Sequence, residues 1–199
     1  MEGNIVFISG GARSGKSTFA EQLAQRYQGD LHYIATARVT DEEMDVRIKR
    51  HQTERQCGER PWTTWECPVD IHSLAHKFHP TDIVLIDCMT ILVANETFRH
   101  EDVNHLDQSS ARIILSIMKG IEAIARKVQI LIIVSNEVLY DGVSNDPVVH
   151  AYQQTIGRLH QEIVRQSRYA YTVEAGVPIL MKDERHMSCQ GEGSNLSWE

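Results

Sequence analysis

Cysteine is scarce in this 199-residue chain, and the four present, Cys57, Cys67, Cys88 and Cys189, form no C-x-x-C pair. Neither a zinc site nor a disulfide framework is suggested, and a reducing compartment fits. Basic residues are outnumbered, 20 Lys and Arg against 27 Asp and Glu, giving a formal charge of −7. That balance argues against a general nucleic-acid binder, because phosphate backbones attract basic surfaces. Small anions held by backbone amides remain compatible with it. No apolar run approaches the roughly 20 residues of a membrane span, and the first residues carry neither a basic n-region nor a cleavage site. The expectation is a cytoplasmic protein that does not insert into membranes. Internal repeats and interdomain linkers are also missing. Residues 1–185 therefore read as one domain, with 42% hydrophobic content for a single core, and residues 186–199 as a polar tail.

What is present begins with Gly10-Gly11-Ala12-Arg13-Ser14-Gly15-Lys16-Ser17, directly after the apolar run Ile5-Val6-Phe7-Ile8. This is the P-loop pattern G-x-x-x-x-G-K-[ST] in strand-to-helix context. Its glycines let successive N–H groups turn inward around an anion, Lys16 reaches the outer phosphates, and the Ser17 hydroxyl can ligate Mg²⁺. The N-terminal dipole of a following helix completes the anion site. Residues 15–27 have that helical spacing, with Phe19, Leu23 and Tyr27 recurring every four positions.

Further apolar, β-branched runs occur at 31–36, 82–88, 129–135, 169–174 and 177–182. Runs such as Ile83-Val84-Leu85-Ile86 and Ile130-Leu131-Ile132-Ile133-Val134 do not alternate, so both faces of these strands are covered. The pattern predicts an α/β fold, a mostly parallel RecA-like P-loop NTPase sheet flanked by helices. The last two runs, broken at Ala175-Gly176, predict a hairpin at a C-terminal sheet edge. Three more helices are predicted. One opens with the capping box Thr40-Asp41-Glu42-Glu43 and runs to about residue 54, one covers 105–128, and one runs from Asp146-Pro147 to about residue 167.

Among residues that carry chemistry, Asp87 ends the most apolar central strand and is the candidate second Mg²⁺ ligand beside Ser17. Its alternative is to cap the turn after the strand. His51 shares a helix face with Met44 and Ile48, and spacing alone favours a half-buried structural histidine over a functional one. Arg47, Lys49, Arg50, Arg55 and Arg60 read as a solvated basic face, or as a rim for polyphosphate.

Several segments occur in a telling order: the P-loop, Tyr33-Ile34-Ala35-Thr36-Ala37, Asp41-Glu42-Glu43-Met44 with Arg47-Ile48 and His51, and Arg60-Pro61-Trp62 with Thr64 and Glu66. Leu85-Ile86-Asp87-Cys88-Met89-Thr90, Val134-Ser135-Asn136-Glu137-Val138 and Gly157-Arg158 follow. In these landmarks, over about residues 4–182, the chain resembles the bifunctional adenosylcobinamide kinases and adenosylcobinamide-phosphate guanylyltransferases of cobalamin biosynthesis.

The resemblance implies that His51 is the catalytic nucleophile that becomes guanylylated, with Lys16 catalytic in phosphoryl transfer. It implies nucleotide binding by Gly10, Gly11, Ala12, Arg13, Ser14, Gly15, Lys16, Ser17, Ala35, Thr36, Ala37, Gln52, Thr53, Glu54, Arg55, Glu66 and Asp87, with Ser17 and Asp87 on Mg²⁺. GTP and ATP are the implied nucleotide substrates, adenosylcobinamide and its phosphate the implied acceptors, and a homotrimer the implied assembly. The chain departs from the family pattern at Gln56-Cys57-Gly58-Glu59, an apparent insertion that leaves Arg55 and Arg60 competing for one role. Leu139, Val143-Ser144, His150 and His160-Gln161 depart as well, at the corrinoid-facing loop and the kinase half. Two other readings stay open at this level: a small-molecule kinase in which His51 is structural, and a diverged member that retains only guanylyl transfer. A GTPase switch would carry Asn-Lys-x-Asp after a late strand, where this chain has Asn136-Glu137-Val138-Leu139.

Overall fold

The computed structural model describes residues 4–37, 60–98, 106–138 and 146–184. The helix predicted from Thr40 and the 186–199 tail lie outside the described residues.

Seven strands form one sheet: β1 (Ile5–Gly10), β2 (Leu31–Ala35), β3 (Trp62–Glu66), β4 (Ile83–Asp87), β5 (Ile130–Asn136), β6 (Tyr169–Glu174) and β7 (Val177–Asp183). Their order across the sheet is β3-β2-β4-β5-β1-β6-β7. Every pairing is parallel except β6 with β7, which is antiparallel, so the expected edge hairpin is present. Its two-residue turn has positive φ at Ala175 (49°) and Gly176 (82°). Such a turn matches the twist of the flanking strands.

Helix α1 (Lys16–Ala24) lies on one face, where Ala20 and Ala24 pack with Val6, Ile8, Tyr33, Leu85 and Ile132. The other face carries α2 (Met89–Thr97), α3 (Leu106–Ala125), α4 (Pro147–Gln166) and a 3₁₀ helix at Ile71–Lys77. Ile121, Ile124, Ile156, Leu159 and Ile163 pack there with Phe7, Ile34, Val84 and Ile133. Both faces of the central strands are thus dry, which is why their sequences do not alternate.

Three elements have weak sequence signals. Strand β3 reads Trp-Thr-Thr-Trp-Glu, with apolar residues three apart instead of two. It forms because its backbone pairs with β2 in register from Leu31↔Trp62 to Ala35↔Glu66. Helix α2 starts two residues after β4 with no turn residue between them, so the apolar run passes unbroken from strand to helix. The 3₁₀ helix is seated by the absence of a side chain at Gly120 on α3, where a Cβ would lie 2.6 Å from Ile71 Cγ1.

The ends of α4 are both capped. Asp146 accepts from the Val148 N–H at 2.8 Å, with Pro147 in the first turn as its sequence predicts. At the other end Lys182 of β7 donates to the carbonyls of Val164 (2.9 Å), Arg165 (3.1 Å) and Ser167 (2.6 Å). A cation on these orphan carbonyls satisfies them and complements the helix dipole. Replacing Lys182 by Met is expected to lower unfolding free energy by about 1–2 kcal/mol in urea titrations; an unchanged midpoint would show that water serves those carbonyls equally well.

Candidate active site

The P-loop leaves β1 at Gly10, and its shape is set by close packing from below. A Cβ at Gly10 would stand 2.5 Å from the Val173 carbonyl oxygen and 2.7 Å from Ser14 Oγ, so only glycine fits there. Gly15 adopts φ 92°, and the Gly176 N–H of the β6–β7 turn donates to the Ser14 carbonyl at 2.8 Å. Within the loop, Ser14 N–H donates to the Gly11 carbonyl at 3.2 Å, and Lys16 Nζ to the same oxygen at 3.0 Å. Lys16 is buried. From Phe19 onward the backbone continues as α1, the Phe19 N–H bonding Gly15 O at 2.9 Å. The first-turn amides of α1 thus stand at the loop, an arrangement that binds phosphate.

Strand register assembles the rest of the site along the carboxyl edge of the sheet. Asp87 is level with Ala35 and Val134, Ala35 with Glu66, and Gly10 with Asn136. One strand, β5, separates the P-loop strand from that of Asp87. At a spacing of about 4.8 Å per strand, Asp87 stands roughly 10 Å across the sheet from β1, and Glu66 twice that distance. Side-chain alternation puts Asp87 on the same face as Leu85 and Ile83, the face that carries α1. Its Oδ2 accepts from the Tyr33 hydroxyl at 3.1 Å. The helix after β4 is capped by Cys88, without a side-chain cap, so Asp87 is not the cap of that turn. Asp87, half-buried, therefore faces the P-loop side of the sheet edge.

Beyond Asp87 the chain is gripped from both neighbouring strands. Thr36, just after β2, is fully buried; its Oγ1 accepts from the Cys88 N–H and donates to the Cys88 carbonyl, each at 2.9 Å. The Thr36 N–H donates to the Asp87 carbonyl at 3.2 Å, and the Thr36 carbonyl accepts from Asn95 Nδ2 at 2.8 Å. From the β5 side, Asn136 Nδ2 donates to Thr90 Oγ1 at 3.1 Å. Thr90 Oγ1 and Cys88 Sγ lie 3.1 Å apart, and the Tyr152 hydroxyl donates to the Thr90 carbonyl at 2.9 Å. Burial pushes the Tyr152 phenol up to about 12 and raises the Cys88 thiol, Asp87 adding to the latter effect. Both groups stay protonated at neutral pH.

The implied site residues divide accordingly. Gly10 through Ser17, Ala35, Thr36, Ala37, Glu66 and Asp87 share the carboxyl edge or the loops leaving it. His51, Gln52, Thr53, Glu54 and Arg55 lie outside the described residues, as do Leu139 and Val143-Ser144. Arg60 is removed from any polyphosphate rim at this edge: it precedes β3 and donates to the carbonyls of Gln25 (3.2 Å), Tyr27 (2.6 Å) and Gly29. Those carbonyls follow α1 at the amino edge of the sheet, the end away from the loop. His150 is exposed on the first turn of α4, beside Gln154 Nε2 at 2.9 Å. His160 is buried against Phe7, and its Nε2 lies 2.7 Å from Ser135 Oγ. Tyr33, Thr90 and Asn136 stand inside segments quoted for the resemblance yet carry no site role in the sequence. Only register brings them to Asp87.

A P-loop at the end of β1, with an acidic strand end one strand removed, defines a P-loop phosphate-transfer enzyme of RecA-like strand order. An ATPase from the type III secretion system of pathogenic bacteria has the same fold at TM-score 0.50 and 13% identity, over 93% of this chain and 60% of that one. Residues 6–181 match the family model described as cobinamide kinase / cobinamide phosphate guanyltransferase, and the chain belongs to this family. It is 28% identical to the bifunctional adenosylcobalamin biosynthesis protein CobU of Escherichia coli (strain K12), over 89% of this chain and 99% of that protein. It is 34% identical to the bifunctional adenosylcobalamin biosynthesis protein CobP of Pseudomonas aeruginosa (strain PAO1), over 89% of this chain and 96% of that protein. The chain is accordingly a bifunctional kinase and guanylyltransferase of adenosylcobalamin biosynthesis.

His160 supplies a pH signature. Burial lowers its pKa below the ordinary 6.5, with Glu137 opposing, so the folded protein holds a neutral imidazole that the unfolded chain protonates. The stability this adds is present above pH 6.5 and is lost as pH falls through that value toward the folded pKa. Stability measured between pH 7 and pH 5 should decline by no more than the one-proton limit of about 1.4 kcal/mol per pH unit from this group. His160→Gln should flatten that decline. An unaltered slope in the variant would remove His160 as its source.

Proposed function

We propose that the two reactions share one triphosphate cradle, the P-loop, and that His51 carries GMP between GTP and the corrinoid phosphate. The observation that carries this reading is the single polar edge on which Gly10, Asp87, Ala35 and Glu66 are aligned by strand register. Ser14 Oγ supports it as well. It is the buried side-chain oxygen without a partner among the described residues, a deficit that a phosphate group would fill.

In the kinase half, the P-loop amides and Lys16 hold the nucleotide phosphates while the aminopropanol hydroxyl of adenosylcobinamide attacks the γ-phosphorus of ATP or GTP. The hydroxyl oxygen–phosphorus bond forms, the β–γ bridge breaks, and the hydroxyl proton is released. The donor set fits Mg²⁺: Asp87 contributes a carboxylate on the P-loop face and Ser17 a hydroxyl at the helix start, both hard oxygen ligands. Bound Mg²⁺ would offset charge on the β- and γ-phosphates. The Tyr33 hydroxyl on Asp87 Oδ2 orients the carboxylate.

In the guanylyl half, an unprotonated ring nitrogen of His51 attacks the α-phosphorus of GTP, the α–β bond breaks and pyrophosphate leaves. A phosphate oxygen of adenosylcobinamide phosphate then attacks the same phosphorus, the N–P bond breaks, and adenosylcobinamide-GDP forms with the imidazole restored. Gln52 to Arg55 would follow the nucleophile along the chain. With Arg60 tied down at the opposite sheet edge, Arg55 is the member of that pair left for the triphosphate.

The working protein is proposed to be a cytoplasmic homotrimer. Among the described residues no helix is long and apolar enough to cross a membrane. The exposed Val177, Ile179, Leu180 and Met181 on edge strand β7 are surface that self-association would cover.

Incubation with Mg²⁺ and GTP labelled at the α-phosphate is expected to leave acid-labile label on the protein, while γ-label does not remain. His51→Ala should take up none. Equal labelling of wild type and His51→Ala would end the histidine mechanism, and intact labelling without phosphorylation of adenosylcobinamide would identify a guanylyl-only member.

A further inference from the structure

We propose that Thr36 and Asn136 are positioning residues, a two-sided clamp that fixes the Asp87 carboxylate relative to the P-loop by gripping Cys88 and Thr90, which follow it. The proposal rests on the reading of Asp87 as a metal ligand and deepens it.

Strand β4 has two neighbours, β2 and β5, and each sends one side chain across its carboxyl end onto the turn after Asp87. From β2, Thr36 Oγ1 holds both the N–H and the carbonyl of Cys88, so the backbone on either side of the Cys88 Cα is fixed by one hydroxyl. The Thr36 N–H additionally takes the Asp87 carbonyl. With its hydroxyl, N–H and carbonyl all committed inside the protein and its side chain fully buried, Thr36 acts on a ligand through Asp87 and Cys88. From β5, the Asn136 carboxamide donates to Thr90 Oγ1 at 3.1 Å and lies 3.7 Å from Cys88 Sγ. Asn136 is also level with Gly10, and the Glu137 N–H donates to the Gly10 carbonyl at 2.9 Å. A continuous connection therefore runs from the first P-loop residue through the end of β5 to Thr90, Cys88 and Asp87.

The physical need for such a clamp follows from the strand order. Ser17 opens the helix that follows β1, and β1 does not pair with β4, the strand of Asp87, so no ladder of backbone hydrogen bonds sets their separation directly. An error of one ångström in such a placement can cost about a hundredfold in rate. The polar side chains of Thr36, Asn136 and Thr90 supply at the sheet edge the restraint that backbone pairing supplies within it.

The test reads metal affinity as well as turnover. Mn²⁺ is titrated into the full-length protein with the β,γ-imido analogue of ATP, and free Mn²⁺ is followed by electron paramagnetic resonance. Thr36→Val, Thr90→Val and Asn136→Ala should each weaken Mn²⁺ binding by about five- to tenfold, with analogue affinity in EDTA for Thr90→Val and Asn136→Ala within about twofold of wild type. Thr36→Ser and Thr90→Ser, which keep the hydroxyl, should restore it. The double variant Asn136→Ala/Thr90→Val should lose less than the two single variants combined, because both remove the Asn136–Thr90 bond. If Thr36→Val does not fold, Asn136→Ala and Thr90→Val still decide. Wild-type Mn²⁺ affinity in folded clamp variants, alongside its loss in Asp87→Asn, overturns the clamp and leaves the metal reading standing. Unchanged affinity in Asp87→Asn sinks both.

Discussion

A parallel sheet covered on both faces can place charge only at the two edges where its strands end, and the chemistry of this protein follows from that constraint. Val6, Ile8, Ile34, Leu85, Ile86 and Ile132 are all buried, so an ionised group among them would face a desolvation cost with no partner to offset it. Polar side chains gather where the strands run out. At the carboxyl ends the chain must also turn into helices, whose first N–H groups are unpaired and favour anions. The P-loop, Asp87, Thr36, Asn136 and Glu66 all lie along this edge, because the buried faces of the sheet would not tolerate them.

The amino edge shows the complementary solution, in which polar groups serve the fold. Arg60 closes the carbonyls after α1, and buried Asp82 accepts from the His79 N–H at 2.8 Å and lies 3.2 Å from His32 Nε2. His32 Nδ1 in turn accepts from Trp65 Nε1 at 3.2 Å. These contacts hold the starts of β2, β3 and β4 together, so an arginine that looks suited to phosphate in sequence is committed to structure. The two edges separate function from stability along the length of strands only five to seven residues long.

The C-terminal hairpin joins the two roles. Its turn packs against the P-loop through Gly176 and the Val173 carbonyl, while Lys182 on its outer strand closes the end of α4. His160 is accommodated in the same spirit. Its Nε2 lies 2.7 Å from Ser135 Oγ and its ring packs on Phe7, so the imidazole is held in the interior behind β1 and β5.

The sequence by itself determined the strands with unbroken apolar runs, the P-loop, the edge hairpin, the capped helix at Asp146 and the family. Each of these is written in neighbouring residues, through covalent spacing and local hydrogen bonding. Strand β3 was illegible because Trp-Thr-Thr-Trp has no strand period of its own and pairs only because β2 offers an edge. Asn136 stood in a recognisable segment without a role, Thr36 was legible only as an implied nucleotide-binding residue, and Arg60, which the sequence left between a solvated face and a polyphosphate rim, is bonded to the carbonyls after α1. What only the tertiary structure decided was the order of strands. That order puts β5 between β1 and β4, brings residues 36, 87, 90 and 136 to one corner, and sends residue 60 to the opposite edge. It is set by long-range pairing and face burial, quantities that no local window of sequence contains.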